Sequence, residues 1–442
     1  MKILDLFEEM TKALGRPPTA EELAMAQALY SRDPGPIEER MERFKKSGAT
    51  SFMDKFYVGY GHPSIGDCGS VTLCLEGVSM LFAKAIQDWP LYSGQEASTR
   101  YIDFSNQPFI DPIGTPESHA HLERWRAFYL RNLPRLIEAI KAKYPPPADA
   151  DEKALTSYLN TVKAKAFDIM RAFLPAGAST NLSWHGNLRQ IRDKLIWLRH
   201  HPDAVVREGA ANIQAFLNER HSGSGFMKTY AETEVHAAQW SNELLWKPKV
   251  IHRTTKMTAS FNDESLADYA DLLKNRPYRA ALPPLVAEVG TVRFDYVLDF
   301  ASFRDLQRHR NGVNRIPLLT DKLGFHSWYL SQLTEEIEQE ALALLESQRI
   351  ALDTICDDEV VRQYYIPMGY LVPCRQQFPL HSTLYMFELR TGQTVHPTAR
   401  HATIDMYTLF HEAYPNIVAH VDLDDTNPFN MKRGTQTITE KT

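Results

Sequence analysis

Apolar and polar residues alternate with a helical period over long stretches of this chain and with a strand period over short ones. Leu155, Tyr158, Leu159, Val162, Ala166, Ile169 and Phe173 mark one face of a helix over about 151–174, stopped by Pro175. A helix over about 118–143 carries Pro134 and is expected to kink there. Others run from Asn187 to Arg199, to an end near Arg220, and over about 331–355 with Leu333, Ile337, Ala341 and Leu344. Val71, Leu73 and Leu75 alternate as a strand ahead of a short helix, Val78 to Ile86. Val292, Phe294, Tyr296 and Leu298 do the same ahead of a short helix ending in Arg308-His309-Arg310. Near the start, Thr19 and Glu22 form a capping box, and a second helix begun near Pro36 closes at Gly48. Two turn-rich or polar runs interrupt the pattern, Gly59 to Asp67 and Tyr92 to Tyr101.

The same order of elements occurs twice. Strand, short helix, loop, long helix, proline break and a helix ending in arginine follow one another in both halves. Phe173-Leu174-Pro175 is echoed by Tyr365-Ile366-Pro367, and Trp197-Leu198-Arg199 by Glu388-Leu389-Arg390. From break to arginine is 24 residues in one half (175 to 199) and 23 in the other (367 to 390). This argues for an internal duplication: a helical extension over 1–50, a first repeat over 51–225 and a second over 226–442. His221-Ser222-Gly223-Ser224-Gly225 is the expected divide.

Composition narrows the class of function. Hydrophobic content of 43% and charge of 24% are those of a soluble globular protein. A net charge of -6 gives no electrostatic case for a nucleic-acid or membrane-surface partner. No apolar run approaches the roughly 20 residues of a membrane helix, and the start lacks a signal-peptide core, so a cytoplasmic protein is expected. Cys68, Cys74, Cys356 and Cys374 lack metal-site spacing, and no metal is expected. The 92–101 run sets hydroxyls, the Glu96 carboxylate and the Arg100 guanidinium close together, which suits a phosphorylated ligand. Arg308-His309-Arg310 at a helix end is favoured by the macrodipole, and its adjacent cationic or polar donors also suit phosphates.

Gly61-His62-Pro63-Ser64-Ile65-Gly66-Asp67, the strand after it, Ser93 through Tyr101, Arg171-Ala172-Phe173-Leu174-Pro175 and Asn187-Leu188-Arg189 resemble the flavin-dependent thymidylate synthases. That family carries a flavin loop, an RHRxxSxNExSxR signature, an ARxxLP segment and an NxR helix start. The first half follows these in order, with Asp88-Trp89-Pro90 in place of the RHR. The second half has Arg308-His309-Arg310 and Arg390, but Ile316, Leu318 and Thr320 at the Glu, Ser and Arg positions, and Gln363 for the arginine before the break.

The resemblance implies an α+β fold in two tandem copies, each a short antiparallel sheet with long helices, and a homodimer forming a pseudo-tetramer of repeats. It implies C5 methylation of deoxyuridine monophosphate, with methylenetetrahydrofolate as carbon donor, FAD as hydride carrier and NADPH as reductant. Ser98, Arg100 and Arg171 would hold the nucleotide with Glu96 orienting them, and Arg199 or Arg390 would polarise the base. His62, Ser64, Asp67, Asn187, Arg189, Arg308, His309 and Arg310 would hold FAD. The complementary losses in the halves imply a composite site, loop 93–101 from one with the RHR of the other. The alternatives are a diverged paralogue acting on another pyrimidine nucleotide and a non-catalytic nucleotide- or flavin-binding scaffold.

Overall fold

Local side-chain chemistry starts the helices where the pattern places them. Thr19 Oγ accepts from the Glu22 N–H at 3.2 Å, and the Glu22 carboxylate accepts from the Thr19 N–H at 2.8 Å, closing the capping box on Ala20–Tyr30. Thr115, Asp151, Asn187 and Thr334 likewise each accept a first-turn N–H at the helices Pro116–Lys143, Glu152–Met170, Leu188–Arg199 and Glu335–Ile355. Pro116–Lys143 runs on through Pro134 as one helix. The structure is a computed structural model and describes residues 3–31, 36–37, 63–99, 102, 104–221 and 227–431. Nearly all of the helix expected from Pro36 to Gly48, and most of the expected divide at 221–225, lie outside the described residues.

The fold is α+β. β1 (Ser70–Ser79) pairs with β2 (Ser179–Asn187), and β3 (Lys256–Phe261), β4 (Gly290–Asp299), β6 (Leu371–Pro379) and β5 (Val313–Arg315) form an antiparallel sheet in the order β3-β4-β6-β5. The pattern at Val292, Phe294, Tyr296 and Leu298 is a strand, as expected, with all four side chains buried. Four of the six strands among the described residues, β2, β3, β5 and β6, were not anticipated. β2 is short of apolar residues, with only Leu182 and Trp184 to mark its inner face, and β6 carries Pro373 and a wholly buried Gln376 in a central position. The helical stripe is also narrower than expected. Tyr158, Val162, Ala166, Ile169 and Phe173 are buried, whereas Leu155, in the first turn, and Leu159, on the shoulder, are exposed.

The chain divides into two compact units. Met1–Glu76, Leu91–Glu96 and Asn181–Leu244 form one; Gly77–Pro90, Ala97–Thr180 and Leu245–Thr442 form the other. In the second unit Phe173 lies between Phe128 and Phe325, with ring centroids 5.0 and 4.8 Å away.

The repeated order is present as repeated structure. A short 3-10 turn, a strand and a helix begin at Arg171, Ser179 and Leu188, and again 192 residues later at Gln363, Leu371 and Leu380. Between these turns and strands the two breaks bond to each other. Ala176 N–H donates to Ile366 O (2.9 Å) and Met368 N–H to Leu174 O (2.9 Å). Gly177 N–H donates to Tyr364 O (2.9 Å) and Gly369 N–H to Ala172 O (2.8 Å). Every bond has its mirror under the same 192-residue shift, so the clasp is self-complementary within one chain, as a two-fold interface is between chains.

The close approach requires glycine. A Cβ on Gly177 would meet the Tyr364 carbonyl oxygen at 2.6 Å, whereas one on Gly392 would have its nearest neighbour at 3.7 Å. Gly177→Ala is therefore expected to destabilise the protein by roughly 1–3 kcal/mol, and Gly392→Ala by no more than about 0.5 kcal/mol. Urea unfolding of the two variants checks this. Equal midpoints would mean that the clasp yields without cost.

Candidate functional site

Asp299 starts a helix that ends at Leu306, just short of the RHR it was expected to contain. Its carboxylate oxygen accepts from Ser302 N–H (2.9 Å) and from the Tyr329 hydroxyl (2.8 Å), capping Phe300–Leu306. The chain leaves that helix through Gln307 into Arg308-His309-Arg310 and is held there by a buried chain of hydrogen bonds. Tyr296 OH donates to Gln376 Oε1 (3.0 Å), Gln376 Nε2 to Asn314 Oδ1 (2.7 Å), and Asn314 Nδ2 to the His309 carbonyl (2.7 Å). Every member of the chain is buried, so each link is worth more than it would be in water, and the triplet is fixed in place.

The triplet is not three cations. His309 is buried, and its Nε2 accepts from Arg390 Nε at 2.8 Å, which leaves the ring proton on Nδ1. Burial, with Arg390 and Arg310 adding to it, lowers the His309 pKa to about 3. At neutral pH the triplet presents two guanidiniums around a neutral imidazole. Arg390 has its own pKa drawn below the arginine range, chiefly by burial.

Asp305 joins the triplet to the first half. Its carboxylate lies 3.4 Å from Arg171 and 3.8 Å from Arg308. Burial works to raise the Asp305 pKa, but Arg171, Arg308 and Arg390 outweigh it and hold the carboxyl well below the usual range. Arg171 is only 8% exposed. Burial opposes its charge, yet Asp305 and Asp168 lead a group with Tyr329 and Asp299 that keeps it firmly protonated. Arg171 Nε and Asp299 Oδ2, both buried, have no hydrogen-bond partner among the described residues. Arg171, Arg308, His309 and Arg390, expected from sequence to work on one ligand set, are thus brought together; Asp305 was not foreseen. Its only sequence signal is its place three residues before Arg308, one helical turn away.

The other expected residues have partners of their own or lie outside the described residues. Asp67 and Arg189 form a two-pronged ion pair, both contacts 2.7 Å, with Asn187 as the neighbouring helix cap. Ser64 is exposed nearby in the chain. Arg199 and His200 both bond Glu234, His200 at 2.8 Å. Arg199 and Arg390 are therefore not counterparts: under the 192-residue shift Arg390 falls on Leu198, one position and about 100° round the helix. Ser93 and Glu96 bridge to His185 and Leu182, and Ser98 is half-buried. His62 and Arg100 lie outside the described residues. In the second half, Gln363 at the place of Arg171 accepts from Leu319 N–H (3.0 Å) and donates to Val360 O (3.1 Å), so it pins a loop.

The His309 shift has a pH consequence. The unfolded chain protonates this histidine near its ordinary 6.5, whereas the folded chain keeps it neutral down to about 3, so acid favours unfolding within that window. Between pH 7 and pH 5, His309→Gln, which keeps an acceptor for Arg390, should lose about 2 kcal/mol less stability than the parent. Equal losses in urea unfolding at the two pH values would show that His309 does not titrate in this window.

Comparison with known proteins bears on this geometry. Residues 15–219 match the sequence model of the thymidylate synthase complementing protein family. The chain is 25% identical to a UPF0159 protein of Chlamydia muridarum over 448 aligned positions, covering 87% of this chain and 83% of the relative. It is 23% identical to one of Chlamydia pneumoniae (86% and 82%) and 24% identical to one of Thermoplasma acidophilum (86% and 90%). The family match contains Asp67, Glu96, Ser98, Arg171, Asn187, Arg189 and Arg199, while Arg308 and Arg390 lie beyond it. The similarity to the thymidylate synthase complementing protein family thus runs over residues 15–219, a little under half of the chain.

Proposed function

We propose that this chain is a thymidylate-synthase-type enzyme that methylates deoxyuridine monophosphate at C5, with methylenetetrahydrofolate as carbon donor and NADPH as reductant. The observation that supports this reading is the arginine cluster: Arg171 from the first half, with Arg308 and Arg390 from the second, around Asp305 in one compact unit. The donor set suits FAD. Arg308 is exposed and carries a guanidinium that can meet a phosphate, and His309 offers a neutral N–H held in one orientation. Bound FAD would supply hydride. Arg308, His309 and Arg310 are the proposed flavin ligands. Ser98, Arg100 and Arg171 hold the nucleotide, with Glu96 orienting them. Arg390 or Arg199 stabilises negative charge that develops on the base oxygens.

Ser98, Arg171 and the RHR belong to one compact unit, which supports a composite site built within one chain; on that reading a homodimer would carry two such sites. A second reading, a diverged paralogue acting on another pyrimidine nucleotide, is favoured by the departures from the family signature, Asp88-Trp89-Pro90 in place of the first RHR and Ile316, Leu318 and Thr320 in the second half. Rescue of a thymidine-requiring strain separates the two: rescue supports the first and its failure, with nucleotide binding retained, the second.

The purified protein is expected to bind one FAD per chain. Arg308→Ala with Arg310→Ala should weaken that binding by roughly tenfold or more while circular dichroism is unchanged. Unaltered affinity, or two tightly bound flavins per chain, would overturn the assignment.

A further inference from the structure

Asp305 is an acid among the cations proposed to receive a phosphate, and its contacts are loose. Firm charge-assisted bonds run to about 2.7–2.9 Å, as between Arg189 and Asp67 at 2.7 Å. Asp305 stands off at 3.4 Å from Arg171 and 3.8 Å from Arg308. Resting on the flavin reading above, we propose that Asp305 is a resident anion: its carboxylate holds the place between Arg171 and Arg308 that a ligand phosphate takes, and yields it only to a phosphate-bearing ligand. The residue sets specificity by competition.

Three features carry this. The guanidinium facing outward is the one less tied, since the Arg308 side chain is 42% exposed and that of Arg171 only 10%. Arg308 can therefore turn to an incoming anion while Arg171 stays. Losing Asp305 as a partner does not strand Arg171 as a lone buried charge, because Asp168 and Asp299 also face it and Asp299 keeps an oxygen without a hydrogen bond. The acid also accompanies the RHR. The helices Met80–Gln87 and Phe300–Leu306 begin 220 residues apart, and at that shift the counterpart of Asp305 is Ala85, in the half where Asp88-Trp89-Pro90 replaces the triplet.

The test titrates the full-length protein with FAD and with riboflavin, which carries no phosphate. Asp305→Asn should bind FAD about three- to fivefold tighter and riboflavin unchanged, the gain of removing one competing charge. In the double variant with Arg308→Ala the gain should vanish, a coupling that a merely structural acid would not show. If Asp305→Asn does not fold, Asp305→Gln serves for the same comparison. FAD binding that is unchanged or weaker in the neutral variant, while Arg308→Ala weakens it, overturns the competitor and leaves the flavin reading standing. Equal tightening for riboflavin likewise overturns it. Wild-type FAD affinity in Arg308→Ala removes the flavin reading, and the inference with it.

Discussion

Leu174, Ala176, Ile366 and Met368 are almost wholly buried, and the backbone polar groups there must find partners away from water. Pro175 and Pro367 supply no N–H of their own. The bonds that complete each break come from the other break, through four reciprocal contacts of 2.8–2.9 Å. At this point each half relies in part on the other's backbone groups, which couples the two breaks in folding. The clasp also sets what surrounds it. Phe173, one residue before Leu174, is delivered between Phe128 and Phe325. Arg171 is delivered to Asp305, and Gln363, its counterpart, to the loop at Leu319.

A symmetric frame thus carries asymmetric chemistry. An arginine at one end of the clasp needs acids, because a buried guanidinium without them would cost several kcal/mol, on the order of the whole stability of a domain. The second half provides them in Asp305 and Asp299, with Asp168 close in sequence to Arg171 itself. A glutamine at the other end needs only hydrogen bonds and finds them in backbone. The two halves therefore differ in what they ask of each other: the charged group, Arg171, comes from the half without the RHR and meets an acid of the half that has it.

Rigidity at the triplet has the same origin in burial. Tyr296, Gln376 and Asn314 form a hydrogen-bonded line across β4, β6 and β5 that ends on the His309 carbonyl, and Arg390 fixes the ring from its other side. A histidine so held cannot serve as a cation near neutral pH. It can serve as an oriented N–H donor between two guanidiniums.

Much of this architecture was legible from residues near one another in the chain. The Thr19–Glu22 capping box, the β1 and β4 alternations, the helix stop at Pro175 and the twofold order of elements all depend on local geometry, so they leave periodic or short-range traces. The Asn187 cap and the first-half signature were of that kind as well. What tertiary structure alone decided involves partners remote in sequence. Arg171 meets Asp305 across 134 residues and Arg390 meets His309 across 81, and such pairs obey no period. Leu155 and Leu159 lie outside the core although they share a helical stripe with buried neighbours, because a stripe is covered only where a partner element reaches it. Burial is a property of the assembled fold: it turns His309 neutral, and against it only acids brought close by the fold, Asp305 foremost, keep Arg171 charged.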